Sequence, residues 1–331
     1  MKKHVILLLF LSLTISCSKD DNGSSTNAEE PRMGSSAITN IYATGTVAEQ
    51  TVEEAKKTIF GKWDFGSSSS SARSASKNEC SFQSLEFTDD SYLIGLSDTY
   101  GENVDIYGTY DFKEENDKVV SVQLNAFYEG ESLMVAEITD IVVEETNGII
   151  DIAFTFDFKI DLSDFGIACT EDLSKSYAAE KDEPMEGTLT ADENSDHYKM
   201  VGKYIATSFS GSDGESLSDL LIESCIEYDY NFDTQEEIKT IDENCTPPDT
   251  IQLELSTYGT YLYMELVEKT PLYIERGKWV LGEDLSDVLI VSDYDEFPVS
   301  ISNLTNNGMT MTIVDDDDGS VYTGIYTWEK R

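Results

Sequence analysis

Two histidines occur in the chain, His4 in the opening segment and His197 in an acidic, polar stretch. Zinc hydrolysis and Ser-His-Asp or Cys-His catalysis each need an imidazole at the site, so all of that chemistry would rest on His197. No Gly-x-Ser-x-Gly elbow, phosphate-cradling glycine loop or dinucleotide fingerprint accompanies it. Carboxylates are plentiful, with 65 Asp and Glu against 22 Lys and Arg. That abundance brings some acids together by chance, and it singles out no glycosidase-type pair, which needs a set separation and one raised pKa in a cleft. The densest run is Asp315-Asp316-Asp317-Asp318-Gly319. A hard cation such as calcium takes oxygen ligands, and Asp315, Asp317 and Asp318 are the candidate ligands; the other reading is a solvated hairpin tip. Val314 stands where an EF-hand has its first ligand, which excludes that motif. Beyond Cys17, the cysteines Cys80, Cys169, Cys225 and Cys245 allow three pairings, and no Cys-x-x-Cys spacing marks a thiolate metal site. These residues lead to the expectation of a non-enzymatic protein with no cofactor.

Whatever the acids do, they decorate a folded chain. Its 331 residues carry a formal net charge of −43 while remaining 40% hydrophobic and 11% aromatic, too apolar for a solvating acidic tail. A field this negative repels nucleic acid and anionic lipid surfaces. The length suits two domains at about 150 residues each. At the start, Lys2 and Lys3 precede an apolar run over residues 5–11 and then Ser12-Leu13-Thr14-Ile15-Ser16. This reads as a secretory signal over residues 1–16, too short to span a bilayer. Ser16-Cys17 resembles the lipobox of bacterial lipoproteins, which implies that Cys17 is lipidated and anchors the chain. Lys19, Asp20 and Asp21 resemble the Lys-acidic-acidic export signal of Bacteroidota-type lipoproteins. That resemblance implies an outer-membrane location facing the cell exterior, with residues 17–45 as a flexible tether. The serine-rich residues 67–76 read as a long loop.

Past one short helix predicted within residues 46–60, with a capping box at Thr51 and Glu54, period-two alternation takes over. Ile150, Ile152, Phe154, Phe156 and Phe158 share one face; Val120, Val122, Leu124 and Ile251, Leu253, Leu255 alternate in the same way. Asn147-Gly148 and Asn307-Gly308 give hairpin signals of the type I′ kind. A repeat emerges. Gly61-Lys62-Trp63 matches Gly202-Lys203-Tyr204, and Cys80 matches Cys225. Gly108-Thr109-Tyr110 matches Gly277-Lys278-Trp279, Asn147-Gly148 matches Asn307-Gly308, and Gly187-Thr188-Leu189-Thr190 matches Gly324-Ile325-Tyr326-Thr327. The units run over residues 46–191 and 197–331. Export favours oxidation, and two cysteines in each unit lead to Cys80 with Cys169 and Cys225 with Cys245.

The order of these landmarks resembles the lipocalin-like domains of Bacteroidota-type surface lipoproteins. It implies an all-β chain of two tandem small antiparallel lipocalin-like barrels, with Trp63 and Tyr204 plugging the closed ends or simply filling the core. The leading functional expectation is binding of a small apolar or amphipathic molecule, or a glycan, in or at a barrel mouth. The alternative is a structural or accessory subunit of an outer-membrane assembly, with filled barrels and a protein partner; the tyrosine-rich residues 258–263 suit either.

Overall fold

The structure is a computed structural model and describes residues 43–65, 80–128, 131–169, 171–185, 195–231, 236–242, 245–282, 284–292, 296–317 and 320–331. The lipobox residue Cys17, the export residues Lys19, Asp20 and Asp21, and the serine-rich loop lie outside the described residues.

Alternating strands have one face to bury, and a sheet closed on itself buries it without leaving edges. The first unit holds β1 (Gly45–Thr46), β2 (Gly61–Asp64), β3 (Ser81–Phe87), β4 (Ser91–Ser97), β5 (Asn103–Glu115), β6 (Lys118–Tyr128), β7 (Glu131–Thr146), β8 (Ile149–Phe158) and β9 (Lys175–Lys181). β2 to β9 pair in sequence and β9 pairs back to β2, so eight antiparallel strands close; β1 adds to β7. The second unit holds β10 (Gly202–Gly211), β11 (Ile226–Asn231), β12 (Glu236–Ile241), β13 (Thr250–Leu255), β14 (Thr260–Val267), β15 (Thr270–Leu281), β16 (Val288–Ser292), β17 (Glu296–Thr305), β18 (Gly308–Asp317) and β19 (Ser320–Lys330). Here β10 and β13 to β19 form the closed eight-stranded ring, and β11 pairs with β12 as a separate ribbon. The chain is all-β with two tandem barrels.

Several local expectations change. The predicted helix is broken into a 3-10 turn, Val47–Glu49, and a helix, Val52–Ile59, because Thr51 caps the latter in the reciprocal box with Glu54. Two more short helices, Asp196–Met200 and Leu217–Glu223, occur where only one helix was expected; five and seven residues are too few for periodicity to register. The match of Cys80 to Cys225 does not hold strand for strand. Cys80 precedes barrel strand β3, whereas Cys225 precedes ribbon strand β11, and β13 is the counterpart of β3. The inserted helix and ribbon make the β10–β13 connection longer than the β2–β3 connection of the first unit. Likewise the counterpart of β19 is β9, not residues 187–190, which lie outside the described residues.

The two Asn-Gly hairpins both form, with different turns. Asn147 and Gly148 have φ of 57° and 84°, the positive pair of a type I′ turn. In the second, Gly308 pairs with Thr305, so Asn306 and Asn307 make the loop. Asn116-Asp117 adopts the I′ conformation without glycine, at φ 52° and 62°. Left-handed backbone costs an ordinary L-residue about 1–2 kcal/mol. Asp117 is exposed, so Asp117→Gly is expected to raise stability by about 1 kcal/mol, read as a higher denaturation midpoint at unchanged slope.

Each barrel is packed with its own side chains. Trp63, Leu85, Ile94, Leu124 and Phe156 are fully buried in the first, Tyr204, Trp279, Ile290 and Tyr326 in the second. At one end of the first barrel Phe82 lies edge-on to Tyr177 and Phe156, at 4.7 and 4.9 Å between centroids, with Phe65 at 5.5 Å. Each such pair contributes about 0.5–1.5 kcal/mol beyond its buried area.

Candidate functional site

The closed ends come first in the chain. Trp63 is completely buried, and its indole N–H donates to the Ile59 carbonyl at 2.9 Å, tying the helix end to the barrel floor. Tyr204 occupies the equivalent place, its hydroxyl donating to the carbonyls of Met200 at 2.8 Å and Lys199 at 2.6 Å. A lysine from the last strand lies over each ring: Lys181 Nζ is 4.6 Å from the Trp63 ring, Lys330 Nζ 5.7 Å from that of Tyr204. Each lysine is paired in register with the aromatic it covers. Burial lowers the Lys181 ammonium to about 7 and also lowers that of Lys330. This explains the Gly-x-aromatic opening. Gly61 and Gly202 have φ of +133° and +145°, and a Cβ at either would collide with the Cε of Lys181 or Lys330 crossing above. Sequence reasoning missed Lys181 because it placed the closing strand of the first unit after residue 186; alignment of β9 with β19 matches it to Lys330.

The opposite ends are roofed. In the first barrel the β8–β9 connection carries a 3-10 turn, Leu162–Phe165, and buries Leu162, Ile167 and Leu173 in the core. The Cys80–Cys169 disulfide holds that connection to the start of β3. In the second, the helix Leu217–Glu223 lays Leu217, Leu220 and Leu221 on the core, and Cys225–Cys245 closes the ribbon behind it. Beside this helix is a recess of about 290 Å³ lined by Asp213, Glu215, Asp219, Ile222, Glu223 and Lys239, among others. Tyr322 donates to Glu215 at 3.0 Å, and burial pushes the nearby Glu265 carboxyl up while Tyr263 donates to it at 3.3 Å. The recess thus gathers acids, one of them, Glu215, bonded by Tyr322. His197 sits at the other end of this barrel, on the helix whose Met200 carbonyl receives the Tyr204 hydroxyl. The geometry therefore supplies carboxylates without an imidazole partner.

Of the calcium candidates, Asp315 and Asp317 belong to the β18–β19 hairpin, opposite Tyr322 and Ser320, and Asp318 lies outside the described residues. Among the described residues one group with metal-ligand spacing occurs, Cys80, Cys169 and Glu171, and its two sulfurs are joined in the disulfide.

The two barrels meet along a built joint. Lys62 pairs with Glu86 across β2 and β3, and Lys203 with Glu254 across β10 and β13, so the two glutamates hold equivalent positions. Each accepts a hydroxyl from the other barrel: Thr260 donates to Glu86 at 2.6 Å, and Ser91 donates to Glu254 at 2.9 Å. Tyr107 adds a second donor to Glu254 at 3.0 Å. Around them Leu93 packs with Leu262, Met264 and Leu266. Arg276 pairs with Asp105 at 2.8 Å and Lys203 with Asp90 at 2.6 Å, both across the joint. Residues 258–263, read from sequence as a possible partner surface, are committed to this joint and to the core: Thr260 and Leu262 face the first barrel, Tyr261 and Tyr263 the interior.

No protein-family model matches the chain, and a search of curated proteins returns no match. Among the described residues no helix is long and apolar enough to cross a membrane.

Proposed function

We propose that the chain is a non-enzymatic, lipid-anchored protein of the outer membrane, facing the exterior, that works as a rigid accessory subunit through contacts on its outer faces. The observation that carries this reading is the packing: both barrels are occupied by their own side chains, and each mouth is roofed by a segment held with a disulfide. A barrel of this size either fills its interior or holds one ligand there, and the buried side chains of each core favour the first. The joint adds rigidity, because equivalent residues of the two barrels interlock through hydrogen bonds, ion pairs and an apolar cluster. A partner face is available on the outer side of β18 and β19, where the exposed Val314, Val321 and Ile325 share one surface.

The recess at the mouth of the second barrel favours a second reading, a small amphipathic molecule or glycan held at that mouth. Site-specific photo-crosslinking on intact cells separates the two. A crosslinker at position 321 is expected to capture one outer-membrane protein, and Cys17→Ser to abolish the product by releasing the chain. Capture at the recess alone, with none at 321, would favour the second reading and reject the first.

A further inference from the structure

Glu86 and Glu254 are among the most buried ionisable groups described, 3% and 4% exposed, and their acidity has no part in the reading above. They line one small chamber of about 10 Å³, room for a single water, together with Thr88, Ser91, Tyr92, Tyr107, Ser256 and Thr260. The Oε1 of Glu86 is buried without a hydrogen-bond partner. Two carboxylates buried around one small chamber are costly to ionise together, since each loses water and each repels the other.

The surrounding charges do not neutralise them. Facing Glu86 are Lys62 from β2 and Asp182 beyond β9, which pair with each other at 3.3 Å, and the hydroxyls of Ser256 and Thr260. Facing Glu254 are Lys203 from β10, itself paired with Asp90, the hydroxyls of Ser91 and Tyr107, and Glu86. Each cation near a glutamate is thus shared with an aspartate. Burial, and Glu254 beside it, push the Tyr107 phenol far above its ordinary value, so it stays a donor.

We propose that the joint between the barrels is proton-coupled: with a proton in the chamber the two glutamates hold the barrels together, and with both carboxylates ionised the joint loosens. Burial pushes both carboxyls above their ordinary value of 4.5. Between 4.5 and the raised value the closed joint binds more protons than the open one, so its stability is greatest in acid and falls as pH rises through that value.

Amide exchange on the full chain tests this, with protection factors corrected for intrinsic exchange at pH 5.5 and 8.5. The joint strands β4 and β14 are expected to lose roughly tenfold in protection over that range, while β7 and β17, away from the joint, hold steady. In the double variant Glu86→Gln with Glu254→Gln, which keeps shape without charge, the loss should fall to within about twofold. Unchanged protection in the native protein, or an equal loss in the double variant, overturns the proposal. Should the double variant fail to fold, Glu86→Gln and Glu254→Gln are compared singly, and a full loss in both overturns it equally.

Discussion

Trp63→Ala is expected to lower the stability of the first barrel by about 4 kcal/mol. The indole is completely buried, and its N–H holds the last turn of the capped helix at Ile59, so truncation leaves a cavity and an orphaned carbonyl together. A two-domain chain need not unfold in one step, so the measurement is the unfolding of the first barrel, followed by protection of β2 and β3. Loss below about 1 kcal/mol would show that the ring is not a structural plug. The lysine above it behaves differently. Its ammonium titrates near 7 in the folded chain against 10.5 ordinarily. Between those values the unfolded chain binds the extra proton, so stability rises with pH across that window and is flat below it. Lys181→Met, which keeps the stem packed on Trp63 without the charge, is expected to remove that slope.

Loss of the Cys80–Cys169 bridge is the other large effect. It joins cysteines 89 positions apart, and the chain-entropy argument gives about 4–5 kcal/mol, against about 3 kcal/mol for the separation of 20 between Cys225 and Cys245. Paired Cys→Ser variants, compared by denaturant midpoint, should keep that order. The first should also free the β8–β9 connection, exposing Leu162, Ile167 and Leu173 and unstacking the aromatic group around Phe82. Equal costs for the two bridges would show that both act only on local loops.

The legible part of the fold was the part with a short period. Ile150 through Phe158 alternate without interruption, and the structure makes them one barrel strand. Gly108 and Gly277 matched each other because both lie where strands cross closely; a Cβ on either would collide with the backbone of the neighbouring strand, at Asn125 or Val291. What stayed hidden depended on partners distant in sequence. Lys181 and Lys330 carry no local pattern, and only their register against Trp63 and Tyr204 gives them a role. Glu86 and Glu254 sat at strand positions that alternation assigns to the outer, wet face, and they are buried because a second barrel covers that face. The helix Leu217–Glu223 has a capping box at Ser216 and Asp219, a signal present in the sequence but lost among its many acids.

The central claim is that both barrels are full and that function lies on their outer surface. Titration of the purified chain with a fluorescent fatty acid such as cis-parinaric acid reads this directly, because the probe brightens only inside an apolar cavity. No saturable rise is predicted while both disulfides are intact. A saturable, one-to-one rise with the oxidised protein would contradict the account and restore a hollow barrel.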